Sequence, residues 1–170
     1  MNVESQFLQF STAKLRQFTG RIEVCLGKLT EAQIWTRGGK NENAIGNLVL
    51  HLNGNVRQWI VTTLGNNPIP RDRDGEFSAS EGHTAADLAT SLRQTIEQAI
   101  EIIDGLDTGR LTRVYEIQNY RVSGVEVVYH VVEHFAEHTG QIIFATKALT
   151  GEDMGFYWHL RNTGQSEQVP

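Results

Sequence analysis

Three histidines stand at intervals of four residues near the C-terminal end of this chain: His130, His134 and His138. On a helix, this spacing places their imidazoles one above another on a single face. Two imidazoles at positions i and i+4 can bind one metal ion, so the pattern indicates a metal site. The alternative is a solvated polar face, in which Glu133 and Glu137 pair with neighbouring imidazoles. A third ligand from elsewhere in the chain would favour the metal site.

One histidine elsewhere in the chain is suited to be that third ligand. His51 lies among apolar residues, in the run from Leu48 to Leu52. A lone histidine in such a run is often a core residue bonded to a neighbour. In a helical bundle, however, inward side chains of facing helices meet in the core, where metal sites are commonly built. His83, in a segment predicted as a loop, and His159, near the C-terminal end, are weaker candidates.

Four long segments with helical spacing of apolar residues would position these histidines. The chain has only three prolines, so long stretches contain no helix breaker. Ser123 and Glu126 form a capping box that would open the last segment. We therefore predict an all-α fold, an up-down-type four-helix bundle, with its long helices within residues 3–29, 44–65, 84–105 and 123–150.

The connections between these helices differ in character. Residues 66–83 are rich in Pro, Gly, Asp and Ser and are predicted to form a long loop, either a surface crossing or a lid. Residues 111–122 are rich in β-formers around a turn-like Gln118–Asn119 pair. They predict a short β-hairpin or an extended crossover before the last long helix. Residues 154–160 are expected to add a short aromatic helix.

Composition narrows the classes of function. With 39% hydrophobic and 21% charged residues, the 170-residue chain is expected to form one domain over 1–170, with its core in about residues 3–150. A net charge of -5 argues against a general nucleic-acid binder. The chain has no apolar run long enough for a membrane span and no pattern typical of a signal peptide, so we expect a cytoplasmic protein. The single cysteine, Cys25, excludes a disulfide framework and a cysteine-based zinc site.

Most other metal-binding motifs are absent from the sequence. The Glu-x-x-His pairs of di-iron bundles and the His-Glu-x-x-His motif of zincins are both absent. The run from His134 through Glu137 to His138 does match the inverted metalloprotease pattern His-x-x-Glu-His. Any i+4 histidine pair with a Glu between its members would produce this match, as His130 and His134 also do. An inverted-motif metalloprotease therefore stays a remote alternative.

Three parts of the chain resemble the DinB-like superfamily of metal-dependent proteins. Residues 130–143, which read His-Val-Val-Glu-His-Phe-Ala-Glu-His-Thr-Gly-Gln-Ile-Ile, resemble the last long helix of that family. Residues 45–55 look like its second helix, and residues 29–35 are similar to its connector. The resemblance covers about residues 5–150. It implies a four-helix bundle with three histidines around one divalent metal, which by position are His51, His134 and His138.

The same resemblance bears on other residues and on activity. His130 matches a position that is often histidine in the family without being a ligand. Thr139 stands where relatives often have Arg, so a role for that Arg does not carry over. Relatives with known activity include thiol-dependent S-transferases and an isomerase that uses a small thiol, whereas others are labelled hydrolases. Relatives often form dimers, so the resemblance also implies a homodimer.

We therefore expect a metal-dependent enzyme that acts on a small-molecule substrate, as a hydrolase or a thiol S-transferase. One divalent metal (zinc, nickel or iron) would activate a water or a small external thiol. Asn55, His130 and Glu137 are the candidate catalytic residues. Trp59 and Tyr129 would wall the pocket or belong to the core. A non-catalytic bundle that binds a metal or a partner is the alternative.

Overall fold

The computed structural model describes residues 2–158, in which four long helical segments pack around a shared apolar core. In chain order, the helices and strands are α1 (Val3–Leu26), α2 (Glu31–Ile34), α3 (Ile45–Val56), a π-helix (Arg57–Leu64), α4 (Arg73–Ser78), α5 (Ala85–Asp104), α6 (Thr108–Thr112), β1 (Val114–Ile117), β2 (Tyr120–Ser123) and α7 (Gly124–Thr150). Helix α1 packs against α5 and α7, and α3 packs against the same two helices. The predicted all-α bundle is confirmed.

Local side-chain chemistry sets where these helices begin and end. Ser123 accepts a hydrogen bond from the Glu126 backbone, and the Glu126 carboxylate bonds back to the Ser123 backbone, so the predicted capping box opens α7. Thr84 and Asp87 form the same arrangement at the start of α5. Helix α7 ends at Gly151, whose φ of 71° is left-handed and is easily reached by glycine.

The core is built from one apolar stripe on each long helix. Its largest fully buried side chains come from all four long helical segments and from α2: Leu15, Ile22, Leu26, Ile34, Leu52, Ile60, Leu92, Ile96, Ile100, Ile103, Phe135 and Ile142. Complete burial of one such side chain stabilises a protein by about 1.5–3 kcal/mol. On α7, the stripe with Phe135 and Ile142 lies beside the histidine face, so packing of the stripe also orients the imidazoles toward α3.

The second long segment changes its geometry part-way along. Beyond Val56 the chain widens into the π-helix, and the Gly65 N–H donates to the Ile60 carbonyl, five residues back. Trp59 lies in this wider turn and is buried. Sequence periodicity predicts one continuous α-helix here, and the π-helix is a departure from it. Such wide turns are frequent at functional sites.

Residues 66–83 are not one long loop, and that prediction is wrong for residues 73–78. These residues form α4, whose first turn is capped by the Asp72 side chain. The buried amide of Asn47 on α3 donates to the carbonyls of Glu76 and Ala79, at 2.9 and 2.7 Å. Arg37 donates to the carbonyl of Phe77 at 2.7 Å. Hydrogen bonds to distant side chains fix this short helix on α3, and local sequence pattern does not encode them.

The hairpin forms as predicted. Strands β1 and β2 are antiparallel, with Ile117 paired with Tyr120 across the turn. Gln118 and Asn119 both have positive φ, 51° and 70°, as the tightest hairpin turns require. At the other end of α7, residues 154–158 of the short aromatic helix expected over 154–160 contain no α-helix, and the rest of that segment, with His159, lies outside the described residues. Within residues 2–158, no helix is both long and apolar enough to cross a membrane.

Candidate metal centre

Three imidazoles from two helices meet between α3 and α7. Nε2 of His51 lies 3.1 Å from Nε2 of His134, which in turn lies 3.2 Å from Nε2 of His138. The three potential ligand atoms all lie within 4.8 Å of one another. The structure therefore brings together the three histidines named from the sequence, although His51 and His134 are 83 residues apart.

The outer ring nitrogens of two of these histidines have hydrogen-bond partners. Nδ1 of His51 lies 3.1 Å from the Glu76 carboxylate, and Nδ1 of His138 lies 2.8 Å from the Gln141 side-chain oxygen. Both partners accept hydrogen bonds, so each Nδ1 carries the proton and each Nε2 presents a lone pair. Both lone pairs point at His134.

This arrangement suits a cation better than it suits three imidazoles alone. A neutral His134 has at most one hydrogen on Nε2, and that hydrogen can be donated to only one of the two facing nitrogens. The other contact would place two lone pairs 3.1 or 3.2 Å apart. A metal ion at the centre would accept all three lone pairs, and His134 would then carry its hydrogen on Nδ1. Within residues 2–158 that Nδ1 is buried with no hydrogen-bond partner. The donor set fits a three-nitrogen metal site.

Burial favours the neutral, metal-binding form of two of the three histidines. The pKa of His134 is lowered to about 3, chiefly by burial and in smaller part by the neighbouring His138 and His51. Burial also lowers the pKa of His138. A metal binds the neutral imidazole, so these shifts reduce competition from protons near neutral pH.

Sequence reasoning missed the carboxylate behind His51. Glu76 comes from α4 and is buried, and Arg71 bonds both of its oxygens at 2.7 Å. Burial alone would raise the pKa of Glu76, but the hydrogen bonds from Arg71 and His51 outweigh burial and hold this pKa below its ordinary value. Glu76 is therefore a carboxylate. Its segment was predicted as a loop, and no spacing in the sequence links it to His51.

The two glutamates between the histidines of α7 are not the hydrogen-bond partners of the clustered imidazoles. Glu133 and Glu137 are exposed, and the Nδ1 atoms of His51 and His138 are bonded by Glu76 and Gln141 instead. Glu137 and Gln141 line an open cavity of about 780 Å³, and none of the three histidines is among its lining residues.

The other candidate catalytic residues lie along the same pair of helices. The His130 ring contacts the Trp59 ring at a tilt of 41°, with ring centres 4.1 Å apart, and its centre is 5.6 Å from that of the His134 ring. Asn55, one turn after His51, is 4% exposed, and its side-chain oxygen has no hydrogen-bond partner in the described part of the chain. Tyr129 is exposed, so it belongs to neither the core nor the cluster.

His83 is not part of the three-histidine cluster. It is exposed, and its backbone carbonyl accepts a hydrogen bond from the Trp35 indole. The group of ligand atoms found within residues 2–158 consists of three imidazoles and has no acidic member. The acidic ligand that an inverted-motif metalloprotease needs is therefore absent from this group.

Comparison with known proteins identifies the family. The model of a family described as "Protein of unknown function (DUF1572)" matches residues 2–158. The chain belongs to the DUF1572 family, a DinB-like family. No protein of curated function matches it. Membership of a DinB-like family supports the resemblance found in the sequence, and the description of the family names no activity.

Solved structures share the fold of this DUF1572 protein. A conserved protein from Enterococcus faecalis superposes with a TM-score of 0.69 at 16% identity, covering 89% of this chain and 99% of that one. A DinB-like protein from Bacillus subtilis, YjoA, gives a TM-score of 0.65 at 15% identity, covering 89% and 97%. At these identities the similarity establishes a DinB-like fold.

Proposed function

We propose that this DUF1572 protein is a metal-dependent enzyme with one divalent transition metal bound through Nε2 of His51, His134 and His138. The observation that carries the proposal is the convergence of these three nitrogens, with two lone pairs already directed inward. Imidazole ligands suit zinc, nickel and iron. A divalent ion with three neutral ligands keeps its charge and open positions, and so lowers the pKa of a bound water or thiol.

A thiol substrate of this centre would have to come from outside the chain. Cys25 is the only cysteine, and it is fully buried on α1. Burial raises the pKa of its thiol, which keeps it protonated. If the reaction is a thiol transfer, its nucleophile is therefore an external low-molecular-weight thiol.

The cavity beside the cluster supports a small-molecule substrate. Leu48, which lines it, lies one turn before His51, and Gln141, on its other wall, holds His138. Phe144 adds an apolar ring that is 77% exposed. We propose that an apolar part of the substrate lies here, with its reacting group toward the histidines.

Among the catalytic candidates, Asn55 has the strongest support. Its unpartnered, buried oxygen is an acceptor one turn from His51, and leaving such an atom without a partner costs about 1–3 kcal/mol. We propose that it accepts a hydrogen bond from the substrate or nucleophile. The contact between the His130 and Trp59 rings supports a role for His130 in shaping the pocket.

Metal content tests the proposal. Wild-type protein, His51→Ala and the control His83→Ala would be stripped with a chelator, offered zinc, nickel or ferrous iron, desalted and analysed. We expect one metal ion per chain in wild type and His83→Ala, and a large loss in His51→Ala. Absence of metal from all three proteins, with a melting temperature unaffected by chelator, would exclude the metal site.

Turnover assays then separate the reaction classes. The loaded protein would be tested with small thiols plus electrophiles for S-transfer, and with esters and amides for hydrolysis. Bound metal without turnover would favour the non-catalytic binding bundle. Peptide cleavage abolished by Glu137→Gln would support the remote protease alternative. Light scattering on the same samples would test the homodimer that we also propose.

A further inference from the structure

A chain of polar side chains extends from His51 away from the other two histidines. Glu76 accepts from Nδ1 of His51 at 3.1 Å, and both of its oxygens accept from Arg71 at 2.7 Å. Arg71 also donates to the side-chain oxygen of Gln58 at 2.7 Å, and Gln118 donates to the same oxygen at 2.6 Å. The chain thus joins α3, the 66–79 segment, the π-helix and the hairpin turn.

A glycine on α3, Gly54, provides the space in which the Glu76 and Arg71 side chains meet. A Cβ added to Gly54 on α3 would lie 1.9 Å from Oε1 of Glu76 and 2.9 Å from Nε of Arg71. Glycine therefore lets the carboxylate and the guanidinium pass close to the helix backbone. The side chains of Glu76 and Arg71 are only 10% and 11% exposed. Burial of two charges is costly, and a buried ion pair is weak evidence for stability alone.

The hydrogen-bond geometry assigns the proton between His51 and Glu76. Nη2 of Arg71 also lies 3.2 Å from Nδ1 of His51, which could suggest an imidazole acceptor. That nitrogen makes a shorter bond, 2.7 Å, to the Glu76 carboxylate, which can only accept. The His51 Nδ1–H then completes the set of donors around the carboxylate. Phe77, the next residue on α4, packs its ring 4.7 Å from the His51 ring.

We propose that Glu76, held by Arg71, is the positioning residue of the metal centre. It fixes His51 in the Nδ1–H tautomer and turns the Nε2 lone pair toward the metal. The inference rests on the proposed function, because it assigns Glu76 a task at that same site. Carboxylates that bond the outer nitrogen of a metal-binding histidine typically contribute 10–100-fold in metal affinity.

Zinc affinity gives the first test. Metal-free wild type and Glu76→Gln would be titrated with zinc against a chromophoric chelator, well below their melting temperatures. We expect Glu76→Gln to bind zinc about 10–100-fold more weakly, because it keeps the shape of Glu76 and removes the charge. The matched control Asp74→Asn changes an exposed acid on the same helix and should bind like wild type. Unchanged affinity in Glu76→Gln would overturn the proposal.

A double-variant cycle tests whether Glu76 acts through His51. In the His51→Ala background, Glu76→Gln should cause no further loss of the remaining zinc affinity, because the group that it positions is gone. An equal further loss would mean that Glu76 acts on the metal or on the fold directly, and would contradict a positioning role.

A measurement on the metal-free protein separates this inference from the proposed function. Imidazole ¹⁵N shifts of His51 should report the Nδ1–H tautomer in wild type and a mixture of tautomers in Glu76→Gln. A wild-type His51 that carries its proton on Nε2 would overturn the positioning role. A wild type with the expected tautomer that binds no zinc would overturn the proposed function instead.

Discussion

In this cluster, the hydrogen-bond partner of an imidazole's Nδ1 determines whether its Nε2 carries a hydrogen or presents a lone pair. On α7 alone, histidines spaced by four fit a solvated polar face as well as a metal site. The structure adds His51 from α3, 3.1 Å from His134, and an acceptor behind each of His51 and His138. With protons held on the outer side, the inner nitrogens are directed to a common point. The site thus depends on Glu76 and Gln141 as well as on the histidines.

Gly54 offers a test at the scale of one residue. We expect Gly54→Ala to displace the ends of the Glu76 and Arg71 side chains, because the new methyl group would overlap them. Both ends are flexible, so the fold should lose only about 1–3 kcal/mol, as in other overpacked sites. Zinc affinity should also fall, because the displaced Glu76 would no longer hold His51. Urea unfolding and zinc titration of the same variant measure the two effects.

Gly20→Ala is the matched control. Gly20 lies inside α1, and a Cβ there would have no neighbour within 4 Å. Alanine should stabilise this helix by about 0.5–1 kcal/mol and leave zinc affinity unchanged. Gly54→Ala with wild-type zinc affinity would show that the position of Glu76 does not matter to the site.

At the scale of elements, the fixing of α4 on α3 depends on Asn47. Its amide is fully buried and bonds the Ala44 N–H and the carbonyls of Glu76 and Ala79. Asn47→Leu would leave these backbone groups without their partner, so we expect a loss of about 2–4 kcal/mol in unfolding free energy. Cleavage within residues 66–83 in limited proteolysis should become faster. Asn41→Leu, at an exposed position, should behave as wild type.

The parts of the fold that follow local rules were predictable, and the parts fixed by distant contacts were not. The capping box of Ser123 and Glu126 and the Gln118–Asn119 turn are encoded by neighbouring residues, and both formed as predicted. Helix α4 depends on side chains from Arg37 and Asn47, more than 20 residues away in sequence. The local Pro- and Gly-rich composition therefore predicted a loop instead.

The same distinction applies to the site. The i+4 spacing on α7 made the histidine face visible, the apolar run around His51 made it a candidate third ligand, and the family resemblance implied the complete set of three. Glu76 was not visible, because a single acid in a predicted loop has no periodicity that could link it to a helix 25 residues earlier. The π-helix, which buries Trp59 beside His130, likewise had no signal in the apolar pattern.

At the scale of the whole molecule, a metal shared by α3 and α7 would join two long helices of the bundle. Bound zinc at 100 times its dissociation constant should stabilise the folded state by about 2.7 kcal/mol. For a chain of this length that corresponds to a rise in melting temperature of about 5–10 °C. Calorimetry with and without zinc measures the shift. Magnesium, which prefers oxygen ligands, should produce none, and His51→Ala should abolish the zinc effect.

Acid should destabilise the metal-free protein through the same cluster. The pKa of His134 is about 3 in the folded state, whereas its ordinary value is 6.5. Between these values the unfolded chain binds more protons, so stability is fully present above pH 6.5 and declines as the pH falls. The lowered pKa of Glu76 acts in the same direction, but its contribution to the loss of stability lies mainly around and below its ordinary value of 4.5. The upper part of the window from pH 6.5 to 4.5 therefore reports mainly on the histidines.

Melting temperatures of chelator-treated protein across that window provide the test. Wild type should lose stability steadily between pH 6.5 and 4.5, and His134→Gln should have a shallower slope, because the residue with the largest depression no longer titrates. His83→Gln, exposed and outside the cluster, should keep the wild-type slope. If His134→Gln followed the wild-type curve, burial of a neutral His134 would not govern the acid response. Because the unfolded chain gains protons at the residues that would bind metal, zinc-loaded protein should have the steepest slope of all.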